Sequence, residues 1–400
     1  MQQRTLDILD KVLYGLIIAL FVVIPFSEAG INIFAGLILI VLVATFVITR
    51  SVRGLDRGIW QPILALLIAG LLSLFFAADK GRGLHKFLSP LVKYVTVFVA
   101  VALTARTDSR RRWLTAIMLV TGLISAGYGI YQYGWLSIRR VYSFSYNPNV
   151  VAGYFAVLTA LSVGLLTGVK SRLWQFVFSC TTLLGLGATV VTFSRGAIIG
   201  LVASGFVLFT MLMSKAKNKK AVLVVSLIIC VVLVALTPDM LFQRFRQIAD
   251  LENSSNRQRI LLWQTAWDMF LDSPIVGQGP GGFSAQYEKF RLPGAGDFVS
   301  AHSVFLQVLA ELGLLGFGAC LWLGVLICRV IYAQLSTSDQ DLEFGISLGT
   351  LLAAVTVLIH GLVDTAFLRT LVGTSMCCLA GLAYSIGLHH KDESSETVSP

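Results

Sequence analysis

Residues 255–270 have the sequence SNRQRILLWQTAWDMF and lie in the long polar interval, about 237–301, of a chain that is otherwise almost continuously apolar. Ser255 and Gln258 have the spacing of a capping box, in which each side chain bonds the backbone of the other residue. This spacing predicts that a helix begins here. Because the flanking segments are apolar, we expect the polar interval to hold the chemistry and the rest of the chain to support it.

The helix that follows this start is predicted to be amphipathic. Gln264 and Asp268 fall on one face, and Pro274 cannot continue the helix. The opposite, apolar face consists of Ile260, Leu262, Trp263, Ala266, Trp267 and Phe270. Its two tryptophans are typical of a helix at a membrane–water interface. Arg257 and Arg259 lie in the first turn beside free backbone N–H groups, so this end should attract anions.

The composition indicates a membrane protein. Of the 400 residues, 56% are hydrophobic and 13% are charged, and the mean hydropathy is +0.80. Water-soluble globular domains are not built this way, and runs of roughly 15–25 apolar residues can cross the bilayer as helices. We predict an all-α polytopic membrane protein with about 12 transmembrane helices and one long periplasmic loop that contains the amphipathic helix. The predicted spans are 12–25, 31–48, 60–76, 88–104, 113–132, 150–168, 174–193, 197–213, 221–236, 303–328, 344–363 and 371–388.

The distribution of Lys and Arg predicts the orientation. Basic residues concentrate in the loops that share a side with the N-terminus, and such loops are cytoplasmic by the positive-inside rule. These residues are Arg50, Arg53, Arg57, Arg106, Arg110, Arg111, Arg112, Lys170, Arg172, Lys215, Lys217, Lys219, Lys220, Arg329 and Lys391. Both termini are therefore predicted to be cytoplasmic. The chain is read as one integral membrane domain, 1–400, with a periplasmic loop at 237–301 and a short cytoplasmic tail at 391–400. Because the loop cations orient the chain, the net charge of +10 does not indicate nucleic-acid binding.

A second set of cations falls on the periplasmic side, where the orienting rule does not place them. They are Lys80, Arg82, Lys86, Arg139, Arg140, Arg195, Arg244, Arg246, Arg257, Arg259, Lys289, Arg291 and Arg369. The set favours an anionic substrate, although pairing with lipid phosphates or acidic side chains explains any one member equally well. Arg139 and Arg140 belong to a loop that ends in Asn147-Pro148-Asn149, which is chiefly a turn signal. Asn149 could also hydrogen-bond a sugar.

Two residues have the chemistry of a transfer site. Arg195 occupies a short break between two apolar runs, where an arginine is unfavourable unless it is paired, snorkels to headgroups or faces a polar cavity. Its guanidinium can bind phosphate through two parallel hydrogen bonds. His302 begins the next predicted span after the polar interval, and a neutral imidazole there can accept a proton from a hydroxyl group. A lone histidine at a helix start is otherwise structural. Glu311 lies about 13 Å further along the same helix, so a direct pair with His302 is not expected.

His360 and Asp364 are spaced i, i+4 near the outer end of a span, so they are predicted to share a face and to hydrogen-bond. A metal site that they share with His302 is the alternative, but a third good ligand is missing, and we predict no metal. The glycines of 277–282 formally fit G-x-G-x-x-G without the strand that a dinucleotide site requires. They are instead predicted to form a turn that folds the loop back onto the membrane.

Several motifs together resemble the O-antigen ligase and polymerase superfamily of bacterial membrane glycosyltransferases, over about residues 145–385. The motifs are FSRGA at 193–197, Arg259-x-x-x-Trp263, DSPIVGQGPGGF at 272–283, AHSVFLQVLAELG at 301–313 and His360-x-x-x-Asp364. Each is weak alone, but their order along the chain is fairly specific. The first four spans match in hydropathy only.

The resemblance implies transfer of a glycan from undecaprenyl pyrophosphate to an acceptor sugar at the periplasmic face of the bacterial inner membrane. Arg195 and Arg259 would neutralise the pyrophosphate, and His302 would be the general base. Inversion and metal independence are implied, and no cofactor is expected. We predict further substrate contacts at Arg257, Arg139, Arg140, Asn149, His360 and Asp364, and Arg257 rivals Arg259 as the critical loop arginine. The expected partners are the lipid-linked donor, a lipid A-core acceptor and membrane lipid.

Ligases and polymerases of this superfamily share these motifs. Because polymerases tend to carry two sizeable outer loops and only one dominates here, the resemblance favours an O-antigen ligase. An O-antigen polymerase and a protein O-glycosyltransferase are the enzymatic alternatives. A non-enzymatic transporter of lipid-linked glycan would also need outer cations, but it commonly shows internal repeats and broken helices, neither of which is evident.

Overall fold

The computed structural model describes residues 2–49, 57–215, 220, 223, 254–337 and 341–396. Within these ranges the chain is helical and has no strand, which confirms the prediction of an all-α fold. The helices are α1 (Gln2–Val23), α2 (Glu28–Thr49), α3 (Arg57–Leu74), α4 (Lys80–Thr104), α5 (Asp108–Gly134), α6 (Pro148–Gly168), α7 (Arg172–Val191), α8 (Arg195–Lys215), α9 (Ser254–Asp272), α10 (Gly282–Phe290), α11 (Val304–Thr337), α12 (Leu342–Gly361) and α13 (Thr370–Glu396), with a 3-10 turn at Ala366–Leu368.

Nine helices in the described part of the chain are long and apolar enough to cross a membrane, which confirms a multi-pass protein. They are α2, α4 to α8 and α11 to α13. Two further predicted spans correspond to α1, whose first half is charged, and to the shorter apolar helix α3. The predicted span 221–236 and the interval 237–253 lie outside the described residues. The last helix continues to Glu396, into the predicted tail.

Helix α6 lies at the centre of the bundle and is buried on all of its faces. A helix that is apolar all round lies in a protein core or in lipid, and here α12, α7 and α13 pack around it. Its start is fixed by Asn147, whose side chain accepts a hydrogen bond from Asn149 N at 2.8 Å, with Pro148 in the first turn. The segment predicted as a turn is therefore the N-terminal cap and the beginning of a helix.

Four glycines bring α6 and α12 into backbone contact. Gly164 and Gly168 on α6 face Gly345 and Gly349 on α12, and each pair has the G-x-x-x-G spacing that lets membrane helices approach closely. A Cβ atom at Gly164 would lie 2.2 Å from Gly349 N, so no side chain fits there. The sequence analysis missed this seam, although its spacing is visible in the sequence.

At the opposite end of the bundle from the α5–α6 connection, two arginines join helices through ion pairs. Arg111, on the first turn of α5, is fully buried and pairs with Asp108 and with Glu343 on the first turn of α12. Arg110 pairs with Asp10 of α1. Both arginines were predicted only as orienting charges. The structure shows that they also join helices, and Arg111 must be paired because its guanidinium is buried.

Helix α9 is amphipathic, as predicted. Its buried face packs against α10 and α11, whereas Gln264 and Asp268 are exposed. The buried face consists of Leu262, Thr265, Ala266, Met269 and Phe270. The predicted capping box is wrong, because Gln258 does not reach back to the helix start. Its Oε1 accepts from Gly296 N at 2.8 Å and its Nε2 donates to Gly294 O at 2.9 Å. The segment that contains Gly294 and Gly296 runs back along α9, and its backbone groups form hydrogen bonds with the Gln258 side-chain amide.

Helix α11 is broken in its N-terminal third, which the predicted continuous span 303–328 did not anticipate. Gly313 has φ 61° and ψ −162°, a conformation open essentially to glycine alone. The break frees backbone groups for the 274–278 turn: Leu314 N donates to Pro274 O at 2.9 Å, and Gln278 N donates to Ala310 O at 2.8 Å. The predicted glycine turn is confirmed, and it docks on this break.

The seam predicts a sharp difference between two glycine-to-alanine changes. Gly164→Ala should lower the melting temperature of the detergent-solubilised protein, since overpacking typically costs about 1–3 kcal/mol. Gly127→Ala on α5 is the matched control, because nothing lies within 4 Å of the added methyl group. It should leave the melting temperature unchanged or raise it. Thermal unfolding followed by intrinsic fluorescence measures both, and equal melting temperatures would contradict the seam.

Candidate functional site

A cavity of about 310 Å³ opens where several connections meet at one end of the bundle. The segments that line it are the α5–α6 connection, the α7–α8 turn, the start of α9, the stretch before α11 and the segment that follows α12. Its lining residues are Arg140, Asn149, Phe193, Ser194, Arg195, Gly196, Ser254, Ser255, Gln258, Arg259, Leu262, Phe298, His302, His360, Val363 and Asp364. Residues from distant parts of the chain therefore form one polar chamber in an apolar protein.

Asp364 is the carboxylate on which the polar contacts of the cavity converge. Its Oδ2 accepts a hydrogen bond from Asn149 Nδ2 at 2.7 Å, and it lies 3.6 Å from His302 Nδ1 and 3.9 Å from Arg259 Nη2. Burial by itself would raise the pKa of the Asp364 carboxyl. The contact with His302 and the charges of His360 and Arg259 outweigh burial, so the pKa falls below its usual value. Asp364 is therefore an ionised carboxylate held among donors.

His302 is held in an uncommon backbone conformation beside this carboxylate. Its φ is 48°, and its carbonyl accepts from Trp263 Nε1 at 3.4 Å. The Phe298 ring meets the imidazole edge-to-face, with the centroids 5.8 Å apart. Because Nδ1 faces the carboxylate of Asp364, the Nδ1–H tautomer is favoured and Nε2 keeps the lone pair that accepts a proton.

Three arginines line the cavity, and each is positioned differently. Arg195 begins α8, directly after the tight α7–α8 turn, and its Nη2 donates to Asn256 Oδ1 at 2.9 Å. Arg140 Nη2 donates to Asn149 Oδ1 at 2.9 Å. Arg259 is the arginine nearest Asp364, and burial lowers its pKa while Asp364 opposes the shift. A guanidinium stays charged under these conditions.

His360 forms part of the floor of the cavity and is 3% exposed. Its ring packs against the backbone of α8, because a Cβ atom at Gly196 would lie 2.7 Å from the ring carbon Cδ2. Asp364 lies beyond Gly361, the last residue of α12, so the predicted shared helix face is wrong. The helix ends first, and the carboxylate turns toward Asn149 and His302 instead.

The structure brings together most of the residues that the sequence singled out. Arg195, Arg259 and His302 line the cavity, as do Arg140, Asn149, His360 and Asp364. Arg139 and Arg257 are exposed and fall outside the described residues that line it. Of the two rival arginines on α9, the cavity thus contains Arg259.

Sequence reasoning missed several lining residues. Phe298, Gln258 and Ser194 line the cavity, and Asn256 holds Arg195. Ser194 had appeared only within the FSRGA motif, and Gln258 only as a capping residue, an interpretation that was wrong. Within the described ranges, no group of three or more His, Cys, Asp or Glu side chains has the geometry to hold a metal ion.

The charges of the lining indicate the kind of ligand. Three arginines and one carboxylate are among the described residues that line the chamber. Guanidinium groups recognise phosphate oxygens through paired hydrogen bonds. Beside them, the imidazole and the carboxylate form a proton acceptor with a fixed orientation. The arrangement can thus bind a phosphorylated group and remove a proton next to it.

Removing the cavity arginine of α9 should weaken anion binding. Arg259→Gln is expected to weaken binding of inorganic pyrophosphate by about ten- to hundredfold, because a charge-assisted hydrogen bond contributes about 1.5–3 kcal/mol. Arg257→Gln, in the same helical turn but exposed, should weaken it by at most about fivefold. Titration calorimetry on the detergent-solubilised protein measures both. Equal losses would contradict the placement of Arg259 as the binding arginine.

Part of the chain is similar to a known protein family. Residues 180–321 match the family model described as O-antigen ligase, a segment that includes Arg195, Arg259 and His302. No curated protein matches the chain. The family match supports an enzyme of the glycosyltransferase type, and it implies lipid-linked glycan and lipid acceptor partners in general. It confirms the resemblance of this chain to the O-antigen ligase and polymerase superfamily.

Proposed function

We propose that this chain is an O-antigen ligase of the bacterial inner membrane. It transfers a glycan from undecaprenyl pyrophosphate to a sugar hydroxyl of lipid A-core. In this proposal both termini are cytoplasmic, the cavity opens at the periplasmic face, and the reaction inverts the anomeric carbon. The observation that carries the proposal is the meeting of Arg195, Arg259 and His302, which are far apart in the chain, around one cavity.

The arginines are assigned to the donor. Arg195 and Arg259, with Arg140 beside them, bind the pyrophosphate that links the glycan to the lipid. As the bond between the anomeric carbon and the phosphate oxygen breaks, negative charge grows on the leaving pyrophosphate. Cations fixed in advance around a shielded cavity stabilise that charge more than they stabilise the starting state, which is the condition for catalysis.

His302 is assigned to the acceptor. Its Nε2 takes the proton of the acceptor hydroxyl as that oxygen attacks the anomeric carbon, and undecaprenyl pyrophosphate leaves with the electron pair of the broken bond. Asp364, 3.6 Å from Nδ1, holds the ring orientation and stabilises the imidazolium that forms. One in-line displacement of this kind produces inversion.

The proposed orientation rests on the basic loops that share a side with the N-terminus. Arg110 and Arg111, at the end assigned to the cytoplasm, pair with the carboxylates of Asp10 and Glu343. At the cavity end the arginines outnumber the lining carboxylate within the described chain, which suits an anionic substrate on that side.

The size of the outer connections favours a ligase over a polymerase. The connection between α5 and α6 covers only residues 135–147. The resemblance associates polymerases with two sizeable outer loops, and this connection is too short to be one of them. The acceptor is therefore proposed to be lipid A-core, and a second lipid-linked glycan is the alternative.

A product assay tests the proposed reaction directly. Purified protein is incubated with a pyrophosphate-linked donor and lipid A-core, and separately with the donor alone. We expect glycan on lipid A-core and no lengthening of the lipid-linked chain, as resolved by gel electrophoresis and mass spectrometry. Longer lipid-linked products would instead identify a polymerase. Donor movement across vesicles without any transfer would identify a transporter.

Replacement of the proposed base tests the mechanism. His302→Ala should lower kcat about 10²- to 10⁴-fold, because general-base catalysis contributes on that scale. The affinity for the donor should change little, since the arginines remain in place. His85→Ala is the matched control, because His85 is exposed on α4 and outside the cavity. Undiminished transfer by His302→Ala would remove the proposed base.

A further inference from the structure

Glu311 lies on α11, outside the described residues that line the cavity, yet its carboxylate gathers three hydrogen bonds. Its Oε2 accepts from Gly281 N at 2.9 Å, and its Oε1 accepts from Phe283 N at 3.3 Å and from Gln307 Nε2 at 2.6 Å. Gly281 is the N-cap of α10 and Phe283 lies in its first turn, where backbone N–H groups lack partners within the helix. The carboxylate thus caps α10 and also binds a glutamine one turn away on its own helix.

Gln307 extends this network to the residue before His302. Its Oε1 accepts a hydrogen bond from Ala301 N at 2.7 Å, and its side chain is 8% exposed. A side-chain amide has one donor group and one acceptor group. In Gln307 the donor group binds Glu311 and the acceptor group binds the Ala301 amide. Because Glu311 binds the donor end of Gln307, the acceptor end is held toward the Ala301 amide.

The conformation of His302 needs such support. A positive φ at a residue with a side chain is uncommon and persists only where the surroundings hold it. His302 has φ 48°, and its backbone is held on both sides: Gln307 binds the preceding amide at Ala301, and Trp263 donates to the His302 carbonyl. If the Ala301 contact is lost, the chain can relax toward a more common conformation, and the ring then moves away from Asp364.

Glu311 is itself fixed from several sides. Its carbonyl accepts from Ser73 Oγ of α3 at 2.7 Å, and the adjacent carbonyl of Ala310 accepts from Gln278 N. The helix breaks two residues later at Gly313, where the 274–278 turn docks. The network that ends at Ala301 is thus anchored in packed helices as well as in the glycine turn.

We propose that Glu311 is a positioning residue for His302, acting through Gln307 and the Ala301 amide. This inference rests on the proposed function, in which His302 is the base. It assigns Glu311 no contact with substrate. Loss of the link should displace the imidazole while the arginines stay in place, so kcat falls and the affinity for the donor stays nearly constant. A displacement of about 1 Å at a reacting group costs up to about a hundredfold.

An exchange of the two side chains separates positioning from simple stabilisation. Gln307→Glu places two carboxylates together, so it should break the link and lower kcat about ten- to hundredfold. The double variant Gln307→Glu with Glu311→Gln restores a donor–acceptor pair between the two positions and keeps an acceptor for Ala301 N. It should therefore recover most of the lost kcat. Gln264→Ala, on the exposed face of α9, is the matched control.

Hydrogen exchange measures the stability of the Ala301 hydrogen bond independently of the transfer reaction. Exchange of the Ala301 amide, followed by mass spectrometry of peptides that span 299–305, should speed up in Gln307→Glu and return toward wild type in the double variant. If Gln307→Glu folds poorly, the double variant should still fold and exchange slowly.

The outcomes separate this inference from the proposed function. Unchanged exchange and unchanged kcat in Gln307→Glu would overturn the positioning role, and so would a fall in kcat that the double variant does not reverse. Full transfer by His302→Ala, with Ala301 exchange still controlled by Gln307, would overturn the proposed base and leave the network intact.

Discussion

The site is organised by one buried carboxylate. Asp364 is 5% exposed, and a buried charge is stable only where donors and opposite charges surround it. Its partners come from four segments: Asn149 from α6, Arg259 from α9, His302 from the stretch before α11, and His360 from α12. The requirement to satisfy one anion therefore draws these segments to a common point. The cavity lies between the helices that this point joins.

The cations around the carboxylate are not equivalent, and the differences follow from their neighbours. Arg140 and Arg195 each donate a hydrogen bond to the side-chain oxygen of an asparagine, Asn149 and Asn256 respectively. Arg259 Nη2 lies 3.9 Å from the Asp364 carboxylate, which partly balances the charge of the guanidinium. Two of the three guanidinium groups are thus oriented by amide oxygens, whereas the third lies beside a carboxylate.

The sequence was sufficient for the fold class, the apolar spans and the arginine, histidine and aspartate residues of the described lining. Hydropathy reports burial in lipid directly, so α2, α4 to α8 and α11 to α13 were all predicted. The failures have a common physical cause. Gln258 and Asp364 were assigned local partners from their spacing, but their actual partners, Gly296 and His302, come from other segments. The break at Gly313 could not be predicted either, because it depends on the 274–278 turn docking there. Spacing predicts contacts within one helix and carries little information on contacts between segments.

The glycine seam between α6 and α12 limits how this architecture can diversify. Asn149 and His360 sit on the two helices that the seam joins, and no side chain can be accommodated at Gly164 without forcing those helices apart. Any enlargement along the seam would change the spacing of the chamber along with the packing of the bundle. Adaptation to a differently shaped glycan is therefore left to the connecting segments on the other wall, such as the one that carries Phe298. The α6–α12 side of the chamber therefore holds its chemical groups in fixed positions, whereas the connecting segments on the other side can change the shape of the chamber.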